Sequence, residues 1–113
     1  MPKDATDNAI GVARRVLRTE IAGLTALIDG LDARFAAAVD LLAATAGRIT
    51  VTGMGKSGHV ARKIAATFAS TGSPAQFVHP AEASHGDLGM SAVGDAVLAL
   101  SNSGDTAELE HIV

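Results

Sequence analysis

The chain has 113 residues, 48% hydrophobic, 19% charged and 3% aromatic, with no cysteine and a formal net charge of −3. Disulfides and thiolate chemistry are excluded, no basic footprint exists for nucleic acid or an anionic membrane, and there is no aromatic platform for stacked bases. No stretch approaches the roughly 20 apolar residues of a membrane span, and the polar residues 1–7 form no signal core, so the expected location is the cytoplasm.

From Ile10 the apolar residues recur every three or four positions, through Ala13, Leu17, Ile21, Leu24, Ile28, Leu31, Phe35 and Leu42. That is the spacing of one buried helical stripe. Asp29-Gly30 interrupts it and Asp32 can cap a second helix, so the pattern predicts helices over 5–28 and 32–45 meeting at a bend, with Gly47 as the stop. Residues 1–46 thus form an N-terminal helical segment that wraps the rest or pairs with a second chain. Residues 48–52 (RITVT) are short, β-branched and bounded by glycines, which suits a strand buried on both faces.

That strand leads into GMGKSGH, residues 53–59. Next comes a helical pattern in which Val60, Ile64, Ala65 and Phe68 share a face, ended by Gly72 and Pro74. Residues 75–78 are a second candidate strand, 80–95 read as a loop, and 96–100 (AVLAL) are a third buried strand. SNSGDT follows, where Asp105 or Thr106 can cap a further helix. Strand, helix, strand, loop, strand, helix implies an α/β sandwich with parallel pairing and right-handed crossovers. Val113 falls inside the last predicted helix and three parallel strands make a small sheet, so residues 47–113 are expected to be a partial, truncated domain.

The stretch GMGKSGH fits two phosphate-binding patterns. A Walker A loop needs a glycine five residues before Gly55, where Thr50 stands within the strand, so a nucleotide hydrolase fails on spacing. Gly53, Gly55 and Gly58 spell GxGxxG in the right context. The ribose-binding acid expected after the second strand is displaced, however, because Val78-His79-Pro80 occupies that end and Glu82 lies beyond the proline. Neither pattern explains SNSGDT, a second turn rich in hydroxyls that also follows a buried strand and opens a helix. In a sheet whose order reverses between the first and third strands, both turns overhang one crevice and can share one phosphate dianion. The expected phosphate ligands are Ser57, Ser101, Ser103 and Thr106, on turns formed by Gly53, Gly55, Gly58 and Gly104. Thr106 can instead be the N-cap of the helix.

The segments VTGMGKSGHVARKIAATFASTG, FVHPAEASHGDLGM and LALSNSGDTAEL, in this order and spacing, closely resemble the sugar isomerase (SIS) domain of bacterial D-arabinose 5-phosphate isomerases. The resemblance implies a three-layer, flavodoxin-like α/β sandwich, usually followed by paired CBS domains, in a homo-oligomer, dimer or tetramer. It also implies a small sugar-phosphate substrate, with D-ribulose 5-phosphate and D-arabinose 5-phosphate interconverted for 3-deoxy-D-manno-octulosonate and lipopolysaccharide synthesis. Lys56, His85 and Glu108 stand where the family carries its catalytic polar residues. Lys56 could stabilise charge on an enediolate or the phosphate, or be an ordinary solvated lysine. His85 could move a proton or help open the sugar ring, or only hold its loop by a hydrogen bond. Glu108 could transfer the proton, or complete a capping box with Asp105.

No cofactor and no required metal are expected, since the six-residue spacing of His79 and His85 has no strong ligand precedent. A non-catalytic sugar-phosphate sensor is the alternative function, and a dinucleotide oxidoreductase the third.

Overall fold

Helix propensity and capping set the first two elements. In a computed structural model describing residues 3–81 and 94–103, α1 spans Lys3–Gly30 and α2 spans Ala33–Ala43. The break falls at Leu31 and Asp32, just after the predicted interruption. Asp32 is the cap that separates the helices: its Oδ1 accepts the Arg34 backbone N–H at 2.9 Å, and the Arg34 guanidinium closes on the same carboxylate at 2.9 Å. The Arg34 side chain, then its backbone N–H, hold the Asp32 carboxyl below its usual value of 3.8. A carboxyl depressed on folding contributes stability above the unfolded-state value and loses it as pH falls through the folded one. The Arg34 amide should therefore exchange with solvent faster as pH drops below 3.8, after correction for intrinsic exchange, while Asp32→Asn keeps the cap and flattens that dependence. A corrected rate independent of pH would show that the charge on the cap carries no stability.

The apolar stripe forms the predicted helices but is not buried. Neither α1 nor α2 contains a buried residue, and Leu17, Ile21, Leu24 and Ile28 are all exposed. Periodicity reports that a helix face needs an apolar partner; it does not say which surface supplies one. The chain divides into two compact units, Met1–Ala38 and Val39–Val113.

The second unit is built on a parallel sheet. Strands β1 (Ile49–Gly53), β2 (Ala75–Phe77) and β3 (Ala96–Leu100) are ordered β2-β1-β3, and helix α3 (Gly55–Ser70) connects the first pair. β1 is central and wholly buried, as its run of β-branched residues predicts. Ile49 and Val51 pack against Ala61 and Ala65 of α3, with Ile64, Phe68, Phe77, Leu98 and Leu100 around them. The alternate residues Thr50 and Thr52 are also fully buried. Thr50 satisfies its hydroxyl by accepting from Gln76 Nε2 at 3.3 Å, and Gln76 Oε1 accepts in turn from Arg48 Nη1 at 3.1 Å.

Two expectations need correction. β3 is buried along one side only: Ala96 is covered, while Val97 is 45% exposed and Ala99 is exposed too. A continuous apolar run does not distinguish a strand covered on both faces from one covered on a single face. Gly47 is not the helix stop, because α2 ends four residues earlier, at Ala43. Its role is close approach: a Cβ there would overlap the Asp95 carboxylate, which accepts the Arg48 N–H at 2.7 Å. The predicted stop after α3 is present, since Gly72 has a φ of 98° and the Ser73 N–H donates to the Phe68 carbonyl at 2.9 Å.

Candidate active site

Each glycine of the first turn has its own steric cause. A Cβ on Gly58 would stand 2.6 Å from the Gly53 carbonyl oxygen, and one on Gly53 would stand 2.9 Å from backbone atoms of Ser57. The end of β1 and the first turn of α3 therefore touch backbone to backbone. Gly55 has space around it but a φ of +55°, the left-handed region that L side chains rarely adopt. α3 begins at Gly55, earlier than the sequence pattern suggests, so the motif is mostly helix first turn and not loop. Met54 stands at the N-cap with no side-chain cap hydrogen bond, which leaves the first-turn amides uncovered by a cap.

Parallel register brings the second turn alongside. Gly53 is the partner of Leu100, so the residues after β3 emerge beside the glycine turn. A crevice of about 220 Å³ lies between them, lined by Met54, Ser57, Leu100, Ser101, Asn102 and Ser103. Three of the four predicted phosphate ligands thus share one cavity at the point where strand order reverses, the usual ligand position of an open α/β sheet. Amides at a helix start together with hydroxyls suit a dianion. Asn102 joins them, and the sequence signal for it is its place inside SNSGDT, between two hydroxyl-bearing residues.

On the opposite flank of the glycine turn, toward β2, a second crevice of about 190 Å³ is lined by glycines of the turn with His59, Arg62, Phe77 and His79. The Arg62 guanidinium lies 4.1 Å from the centre of the Phe77 ring. His79 Nδ1 accepts the Ala81 backbone N–H at 3.1 Å. Arg62 lies in α3 and His79 just after β2, so only folding pairs them. Beneath the turn, Thr52 Oγ1 is buried with no hydrogen-bond partner among the described residues. A larger groove of about 660 Å³ runs along α1 past Asp7, Arg15 and Arg18, but it is an open trough on a single helix.

Lys56 is exposed at the tip of the turn, and it lines neither crevice. His85, Gly104, Thr106 and Glu108 lie outside the described residues.

A phosphate-sized crevice at the switch point of a parallel sheet, floored by a glycine turn and walled by serines, defines a sugar-phosphate-binding α/β domain. The model of the SIS domain matches residues 42–113, and the chain belongs to that family. It is 57% identical over 97 residues to arabinose 5-phosphate isomerase KdsD of Pseudomonas aeruginosa, covering 86% of this chain and 30% of that protein. To KdsD of Yersinia pestis it is 53% identical over 100 residues, covering 88% of this chain and again 30% of the relative. The chain therefore spans about a third of the length of these relatives. Among solved structures, the c3406 protein of E. coli CFT073 in complex with A5P superposes with a TM-score of 0.86 at 43% identity, over 97% of this chain and 57% of that one.

Proposed function

We propose that this chain is the phosphate-binding part of an aldose–ketose isomerase that interconverts D-ribulose 5-phosphate and D-arabinose 5-phosphate through an enediol. The observation that carries it is the convergence of Ser57 with Ser101 and Ser103 on one crevice. Its support is the likeness to proteins named arabinose 5-phosphate isomerase and to a structure in complex with A5P.

Isomerisation of this kind moves one proton between adjacent carbons, so it needs a base, a group to stabilise the enediolate oxygen, and a fixed substrate. The two serine-bearing turns fix the phosphate. In this reading Lys56 at the turn tip supplies positive charge, Glu108 transfers the carbon-bound proton, His85 assists ring opening or proton movement, and Thr106 and Gly104 complete the second turn. The product would feed 3-deoxy-D-manno-octulosonate and lipopolysaccharide synthesis in the cytoplasm. The exposed stripe of α1 is where a second copy would pack to give a dimer or tetramer.

A coupled assay should show the intact protein consuming ribulose 5-phosphate, and the same preparation should sediment as an oligomer. A hydrogen bond to a charged group contributes about 1.5–3 kcal/mol, so Ser101→Ala should raise KM by about 10- to 100-fold while kcat changes little. Absence of turnover by the intact protein would remove the isomerase reading.

A further inference from the structure

We infer that His79, in the crevice beside β2, is an additional catalytic residue: a neutral imidazole whose Nε2–H donates to the sugar's carbonyl oxygen. This inference rests on the isomerase reading above and names a residue which that reading leaves unassigned.

Hydrogen-bond direction is the starting point. A backbone N–H can only donate, so the bond from Ala81 to His79 Nδ1 at 3.1 Å requires that Nδ1 carry no proton. The ring proton of the neutral imidazole is then on Nε2, and the ring presents a donor as its remaining polar atom. Because the partner is main chain only two residues further on, this tautomer is set locally. His79 is itself half-buried, and it follows Val78, whose N–H is tied to the Val51 carbonyl at 3.0 Å, so the ring hangs from the ordered edge of the sheet.

Position supplies the second part. The phosphate crevice opens between β1 and β3, and the His79 crevice between β1 and β2, with the glycine turn common to both. Neighbouring strands stand about 4.8 Å apart, so β2 and β3 are separated by about 10 Å. An extended pentose 5-phosphate measures about 8 Å from phosphorus to C1 at ordinary single-bond lengths. A substrate gripped by Ser57, Ser101 and Ser103 can thus pass the tip of the turn, where Lys56 stands, and set its carbonyl end at the crevice lined by His79. Arg62, held against Phe77, forms the cationic wall of that crevice and favours oxygen that gains negative charge.

The step balances without a cofactor. From the aldose, a base takes the C2 proton, the C–H electron pair becomes the C1–C2 double bond, and the carbonyl π pair moves onto O1. There it receives the hydrogen bond from Nε2–H. Protonation of O1, loss of the O2 proton and return of a proton to C1 complete the ketose. His79 donates a hydrogen bond throughout and ends unchanged, as neutral imidazole does in other aldose–ketose isomerisations.

The test uses the intact protein and arabinose 5-phosphate. Loss of one donor to a developing oxyanion lowers kcat by about 10²–10³-fold, so His79→Ala should show that fall with KM within a few-fold. His79→Gln, which offers an amide N–H near the Nε2 position, should recover part of the loss. Nitrogen-15 spectra of the wild-type imidazole should show Nε2 protonated and Nδ1 bare, with the Nε2 signal moving when substrate binds. Unchanged kcat in His79→Ala, or a proton on Nδ1, overturns the inference while leaving the isomerase reading intact. Equal losses in the Ala and Gln variants, or a fault in KM alone, assign His79 a structural role and overturn it too. Inactive wild-type protein instead removes the isomerase reading, and this inference with it.

Discussion

Glu108→Gln is expected to lower kcat for pentose 5-phosphate isomerisation by about 10²–10⁴-fold, the usual contribution of a positioned proton-transfer group, while KM changes only a few-fold. The amide keeps the size of the carboxylate and, as glutamine does in a capping box, can still accept the N-cap amide hydrogen. It cannot take a proton from carbon. The substitution therefore separates the two roles open to Glu108. If the side chain only caps the helix that the sequence predicts from Asp105 or Thr106, turnover survives; if it is the base, turnover falls and sugar-phosphate affinity remains. Steady-state kinetics with direct titration of arabinose 5-phosphate reads both quantities, and retained kcat would remove Glu108 from the chemistry.

Gly58→Ala is expected to damage stability and phosphate binding together. The added methyl would lie 2.6 Å from the Gly53 carbonyl oxygen, a contact with main chain that no rotamer change can relieve. Overpacking of this kind costs about 1–3 kcal/mol. Part of the strain must appear as displacement of α3 from the end of β1, which moves Ser57 relative to Ser101. Gly11→Ala on α1 is the control: a Cβ there meets nothing within 4 Å, so helix propensity alone predicts a gain of up to about 1 kcal/mol. Urea midpoints and KM should shift adversely for Gly58→Ala, whereas Gly11→Ala should raise the midpoint. Equal behaviour of the two variants would show that the turn tolerates a side chain.

The sheet was readable in the sequence because its signals are local. Residues 48–52 and 96–100 announce strands through β-branched and aliphatic runs, Asp32 announces a cap, and Gly72 with Pro74 announces the end of α3. The crevice between the two turns was readable as well, since parallel strands with one order reversal force those turns together. Three things were not. Periodicity in α1 specified an apolar face without specifying its cover, so exposed Leu17 and Ile28 were expected to be buried. Gly47 matched a helix stop in type, but its reason is contact with Asp95, 48 residues further along the chain. The His79–Ala81 bond and the stacking of Arg62 on Phe77 depend on tertiary placement and on a ring tautomer, and neither leaves a spacing to read.

Main-chain contact between Gly53 and Gly58, with Gly55 in the left-handed region, means that the shape of the turn is set by its three glycines and not by the side chains between them. Positions 54, 56 and 57 project from that frame as independent variables. A combinatorial library confined to those three sites would retune charge and hydrogen bonding on a constant skeleton, which, under the function proposed above, makes this short segment a starting point for altering substrate choice.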